Sequence, residues 1–259
     1  MQINFNNKTV LITAGSKGIG RSVCEKMLNN NAKVVVISRN SKNLKNLKKS
    51  LNVSLQKKLF CIKFDLEKNL DPLFKKIKKQ NLIPDILINN LGGNLNLTDP
   101  LLKISDWRRA MNFNLEIAIM FNNFCIPYMK KKNWGRICHV SSISALENQG
   151  TPSYCSAKAA LNAYVRSVGR FFAKNNIIMT SVMPGAVMTD GGYWSLVKKK
   201  RTSHYENYIK NRMAINRLGS VDEISELILF LCSEKASFCV GSCFLVDGGQ
   251  GRVFQSTDI

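Results

Sequence analysis

Seven short apolar, β-branched runs recur along this chain, at 9–13, 33–38, 59–64, 85–89, 135–140, 177–183 and 243–246. Segments with helical spacing of apolar residues lie between them, the longest at 19–30, 105–131, 152–174 and 221–233. Such alternation builds βαβ units, which bury their apolar faces only by forming one parallel sheet with helices on both sides. Right-handed crossovers then wind the chain outward twice from the middle. The run Val34-Val35-Val36-Ile37 has no polar residue on either face, as expected of a strand covered on both sides. The predicted fold is α/β: one domain spanning 1–259, a doubly wound seven-stranded parallel sheet with helices on both faces. No repeat, low-complexity tract or long Pro/Gly/Ser linker divides it.

The first run ends at Thr13 and is followed by Ala14-Gly15-Ser16-Lys17-Gly18-Ile19-Gly20. Glycines between a strand and a helix permit a tight turn and let the backbone approach a pyrophosphate. The helix that follows aims its first amides at the phosphates. This is the setting of a Rossmann-type dinucleotide site, with Gly15, Ser16, Lys17, Gly18, Ile19 and Gly20 as cofactor contacts. At the end of the second run, Ser38-Arg39 stands where a carboxylate would select NAD. A guanidinium pairs with a ribose 2′-phosphate in a forked geometry, so the expected cofactor is NADP(H).

On the segment 152–174, Tyr154 and Lys158 are four residues apart and share a helix face. An ammonium beside a phenol lowers its pKa from the ordinary value near 10, suiting it to proton transfer. Ser142 follows the fifth run, at the strand end that faces the ligand crevice in such sheets.

These motifs, in this order, resemble the short-chain dehydrogenase/reductase family over nearly the whole chain. The resemblance implies that Asp65, with Leu66 beside it, touches the adenine. Asn90 and Gly92, within Asn89-Asn90-Leu91-Gly92, match the motif after the fourth strand. Asn114 matches a catalytic asparagine that holds a proton-relay water, completing a tetrad with Ser142, Tyr154 and Lys158. Pro184, Gly185, Val187 and Thr189 resemble the segment that clasps the nicotinamide, and Val246-Asp247-Gly248-Gly249 the C-terminal signature. Two departures stand out: Leu91 replaces a small residue, and the Ser142–Tyr154 spacing is one residue shorter than the family's.

The resemblance implies an NADPH-dependent carbonyl reductase, nearest in type to 3-oxoacyl-acyl-carrier-protein reductases. Arg136 matches one arginine associated there with carrier docking, while the second maps near Lys174-Asn175. A sugar or nucleotide-sugar oxidoreductase is the alternative, and a non-catalytic NADP-binding regulator the alternative of another class. The substrate is expected to be a small-molecule or carrier-bound carbonyl compound. Members of the family are usually homo-oligomers, so a tetramer or dimer built on 105–131 and 152–174 is expected. The stretch 188–216, with Gly191-Gly192, Tyr193-Trp194 and a basic run, is expected to be irregular and reads as a substrate lid.

The formal charge of +21 invites nucleic acid or anionic membrane as a partner. Neither is expected, because the lysine runs are not interleaved with aromatic residues as in a single-strand-binding groove. No stretch approaches the ~20 apolar residues of a membrane span, and the polar first residues do not resemble a secretory leader. The 8 cysteines include no Cys-x-x-Cys pair, and 2 histidines offer little for zinc. Reduced thiols, no metal and a cytoplasmic location are therefore expected.

Overall fold

The computed structural model describes residues 2–252. Met1 and 253–259 of the expected 1–259 domain lie outside the described residues. In chain order the elements are β1 (Thr9–Thr13), α1 (Gly18–Asn29), β2 (Lys33–Ser38), α2 (Ser41–Lys49), α3 (Val53–Lys58), β3 (Leu59–Lys63), α4 (Asp71–Lys79) and β4 (Ile86–Asn89). Then follow α5 (Ile104–Met111), α6 (Ile117–Lys132), β5 (Gly135–Val140), α7 (Pro152–Phe172), β6 (Ile177–Pro184), α8 (Tyr193–Lys200), α9 (Thr202–Arg212), α10 (Val221–Leu231) and β7 (Cys243–Val246).

All seven strands join one parallel sheet in the order β3-β2-β1-β4-β5-β6-β7. The winding reverses between β1 and β4, which opens a crevice above their carboxyl ends. Alternate strand residues feed two separate cores. Val10, Ile12, Val34, Val36, Ile88 and Val182 pack with Val23 and Met27 of α1 and Ile228 of α10. Leu11, Val35, Leu87, Ile137 and Met179 pack with Ile77 of α4, Phe121 of α6 and Val165 of α7. Fully burying one such side chain contributes about 1.5–3 kcal/mol, so each strand is held from both faces. Asparagines at 7, 31, 81, 133, 176 and 216 take positive φ, serving in turns where glycine is the usual residue.

Two expectations are corrected. The segment 105–131 is not one continuous helix: α5 and α6 are separated by a π-helical turn over Asn112–Glu116. A π turn adds one residue to a helical turn without changing the apolar spacing enough to show in sequence. The stretch 188–216 is not irregular either, because α8 and α9 occupy most of it. Its aromatic residues form a small core of their own, in which Trp194, Tyr205, Tyr208 and Ile209 pack on Ala186, Met213 and Leu218. A capping box opens α10: Ser220 Oγ accepts from Glu223 N at 3.2 Å, and Glu223 Oε2 accepts from Ser220 N at 2.8 Å.

Candidate active site

A cleft runs along the carboxyl edge of the sheet and has two lobes. One, a cavity of about 370 Å³, is lined by Ala14, Ser16, Lys17, Ser38, Arg39, Asp65, Leu66, Leu91 and Gly92, with Asn40, Asn43, Glu67 and Phe113. The other, about 420 Å³, is lined by Lys17, Ile19, Asn90, Gly92, Ser142, Tyr154, Lys158, Pro184, Gly185, Val187 and Thr189, with Trp194. Ala14, Lys17 and Gly92 belong to both lobes. The residues read from sequence as cofactor contacts are thus gathered in one groove; Gly15, Gly18 and Gly20 form the turn beneath it.

The turn is braced by polar contacts. Asn90 donates through Nδ2 to the carbonyls of Thr13 and Ala14, at 3.1 and 3.2 Å. Thr13 Oγ1 accepts from the backbone N–H of Asn90 and of Leu91, at 2.9 and 3.1 Å. Asn90 therefore holds the turn in shape, and Leu91 is accommodated with its amide tied to β1. At the outer lobe, Ser16 Oγ donates to Ser38 Oγ at 2.8 Å, joining the turn to the end of β2. Arg39 and Lys17 stand exposed beside that pair. Glu67, a carboxylate lining the lobe, is engaged by Arg109 Nε at 2.8 Å. Two free cations, two hydroxyls and a neutralised carboxylate fit a dinucleotide carrying an extra phosphate.

The inner lobe is lined by Ser142, Tyr154 and Lys158, three of the four residues read as a tetrad; Asn114 is buried behind Gly92. Lys158 is 1% exposed, and its ammonium donates to Val140 O at 2.8 Å. Burial pulls its pKa from 10.5 down to about 7. Gly92 makes room for it: a Cβ there would lie 2.7 Å from Lys158 Nζ and 3.1 Å from Asn114 Oδ1. Asn114, on the π turn, locks the backbone of Gly93, accepting from its N–H at 2.9 Å and donating to its carbonyl at 3.0 Å. It also donates to Ala110 O at 3.0 Å. π turns cluster at functional sites because they re-aim a side chain within an otherwise regular helix. Ser142 caps a short turn by accepting from Ser144 N at 3.1 Å.

The expectation that Lys158 lowers the Tyr154 pKa is corrected. Burial raises it, and a hydrogen bond with Ser142 opposes the rise. The reason is geometric: the amine is turned to Val140 O and lies over the Tyr154 ring, 5.8 Å from its centre. The phenol is thus held in its protonated, donating form. Below Lys158, buried His139 is kept neutral, its pKa pulled to about 3 by burial and then by the lysine's charge. Its Nε2 lies 3.2 Å from Asn122 Nδ2.

Sequence reasoning did not single out Thr13, Asn40, Asn43 or Phe113. Thr13 carries a signal in retrospect, as the hydroxyl residue that ends an apolar run. Arg136 lies away from the cleft, at the start of β5, and its side chain is fully buried. It donates to the carbonyls of Ser233, Gly135 and Asn176 at 3.1, 2.8 and 3.0 Å, and to Glu234 at 2.9 Å. A guanidinium sealed this way cannot dock a carrier, which corrects that expectation. Among the described residues no helix is long and apolar enough to cross a membrane, and no group of three His, Cys, Asp or Glu is gathered that could hold a metal. All 8 cysteines are free thiols.

A parallel doubly wound sheet with a phosphate-binding turn and a Tyr/Lys/Ser/Asn cluster at its carboxyl edge defines a dinucleotide-dependent oxidoreductase. Residues 8–195 match the family model for short chain dehydrogenases, and the chain belongs to that family. It is 28% identical over 254 residues to the 3-oxoacyl-(acyl-carrier-protein) reductase FabG of Aquifex aeolicus, covering 96% of this chain and 99% of the relative. It is 32% identical over 250 residues to L-xylulose reductase of Caenorhabditis elegans, covering 95% and 96%. Among solved structures, the L-sorbose reductase of Gluconobacter frateurii complexed with NADPH and L-sorbose superposes with a TM-score of 0.85 at 26% identity, covering 96% and 98%.

Proposed function

We propose that this protein is an NADP(H)-dependent reductase that converts a ketone carbonyl to an alcohol, with Tyr154 as the proton donor. The observation that carries the reading is one continuous groove with the free cations Lys17 and Arg39 at its outer end, and a protonated phenol beside a buried ammonium at its inner end. NADPH, held by the turn, Ser38, Arg39 and Lys17, supplies the hydride. The chain's own groups do the rest. Asp65 and Leu66 flank the adenine end, and Pro184, Gly185, Val187 and Thr189 the nicotinamide end. Ser142 orients the carbonyl oxygen, and Tyr154 delivers its proton there. Lys158 binds the ribose beside the nicotinamide, and its proton replaces the one spent. Asn114 fixes Gly93 and so shapes the path by which that proton is renewed. General acid catalysis of this kind contributes ~10²–10⁴-fold.

The 3-oxoacyl reductase relatives, matched over their full length, support a 3-oxoacyl thioester as substrate. A second reading, a sugar ketone, is favoured by the sealed Arg136, which leaves a carrier without that docking cation, and by the L-xylulose reductase relative. The lid reading of 188–216 belongs to either, since Trp194 already lines the inner lobe.

NADPH oxidation followed with an acetoacetyl thioester and with a panel of ketoses separates the two. Tyr154→Phe is expected to lose ~10²–10⁴-fold in kcat while NADPH still binds. A variant that keeps its rate overturns the assignment.

A further inference from the structure

Gln250 is 2% exposed, and its carboxamide bonds three separate parts of the chain. Oε1 accepts from the backbone N–H of Ala186 at 2.6 Å. Nε2 donates to Gln149 Oε1 at 2.8 Å and to the Tyr208 hydroxyl at 2.9 Å. Ala186 follows Gly185 in the segment at the nicotinamide end of the groove. Gln149 lies in the shortened loop between Ser142 and Tyr154. Tyr208 is on α9, and its ring packs on that of Trp194 with centres 4.2 Å apart.

The fit is close. A Cβ on Gly185 would come within 2.6 Å of Gln250 Oε1 and 2.8 Å of Asp247 Cα, so only glycine admits the carboxamide here. The turn that carries Gln250 is tied to the end of the helical pair as well, through Ile215 N donating to Gly248 O at 3.3 Å. Arg252 adds a bond from its guanidinium to Asn211 O at 3.1 Å. A buried primary amide with both donors and its oxygen engaged specifies one arrangement of the parts it joins, because any other leaves a desolvated donor or acceptor unpaired.

We propose that Gln250 is a positioning residue that latches the α8–α9 pair in register with the nicotinamide segment and the Tyr154 loop. It sets the closed position of the lid and thereby the affinity for the carbonyl substrate. The latch rests on the reductase reading for its effect on turnover, but not for its effect on the lid, so two readouts are needed. The first is trypsin cleavage of the full-length protein at the exposed basic run Lys198 to Arg201, which requires no activity.

Gln250→Ala and Tyr208→Phe are each expected to speed that cleavage at least ~5-fold, and the double variant no more than the stronger single one, since both open the same latch. The second readout is steady-state kinetics with the substrate found active: KM is expected to rise ~10-fold, with kcat changed less than ~3-fold. Gln250→Glu, which keeps the acceptor for Ala186, is expected to recover part of both effects. Unchanged cleavage in Gln250→Ala and Tyr208→Phe overturns the latch, whatever the kinetics. Faster cleavage without any reductase activity in the parent protein overturns the functional reading and leaves the latch standing. Faster cleavage with unaltered KM overturns the link to substrate affinity.

Discussion

The ammonium of Lys158 is aimed at the carbonyl oxygen of Val140, 2.8 Å away, at the carboxyl end of β5. A strand end thereby supplies the acceptor that holds a buried cation beneath the inner lobe of the cleft. The arrangement is costly to the fold, because the amine is desolvated and its pKa falls from 10.5 to about 7.

Lys158→Met is therefore expected to stabilise the protein while removing activity. Below pH 7 the native state must bury the charge, and the full cost applies. Between pH 7 and pH 10.5 the unfolded chain holds a proton that the native state has released, so wild-type stability rises with pH through this window. The variant lacks that rise. Its advantage is expected to be on the order of 2–3 kcal/mol at pH 6 and to shrink towards pH 10. Urea denaturation at both pH values checks this; a variant less stable than wild type at pH 6 contradicts it.

Gly92→Ala acts on the same amine from the other side. The added methyl lands 2.7 Å from Nζ, and the long side chain can yield where a backbone could not. The fold is expected to survive, with Tm within a few degrees of wild type, while the displaced amine lowers kcat by ~10–100-fold. Calorimetry and turnover, measured together, distinguish this from a folding defect.

Arg39 sits free at the outer lobe, so Arg39→Ala removes a charge-assisted contact worth about 1.5–3 kcal/mol to the phosphorylated cofactor alone. The ratio of kcat/KM for NADPH over NADH is expected to fall by ~10–100-fold, and Arg39→Asp to invert it. An unchanged ratio would place the phosphate elsewhere.

Ser220→Ala removes one half of the box that starts α10. A loss of about 1 kcal/mol is expected, seen as a Tm lower by ~2–4 °C, with cofactor affinity unaltered.

The strands were legible because a strand covered on both faces must be apolar throughout, as Val34 to Ile37 is. The phosphate-binding turn and the Tyr154–Lys158 pair were legible because each depends on a fixed local spacing. What was not legible depends on tertiary placement. Tyr154 and Lys158 share a helix face, but the direction of the amine is decided by Val140, which comes from another element. Arg136 carries the same composition signal whether it is exposed or sealed, and its carbonyl partners are brought together by β5, β6 and the turn after α10. The helices α8 and α9 were hidden because lysines and a double glycine dilute their apolar spacing; their order comes from Trp194 and Tyr208 packing together.

The π turn at Asn112–Glu116 makes chain length itself a constraint. Each residue advances a helix by about 100°, so dropping one residue from that turn would swing the 16-residue helix α6 through roughly that angle. Phe121, Cys125 and Met129 would leave the core they fill, and the Asn114 carboxamide would part from Gly93. Straightening the helix for added stability would dismantle the site.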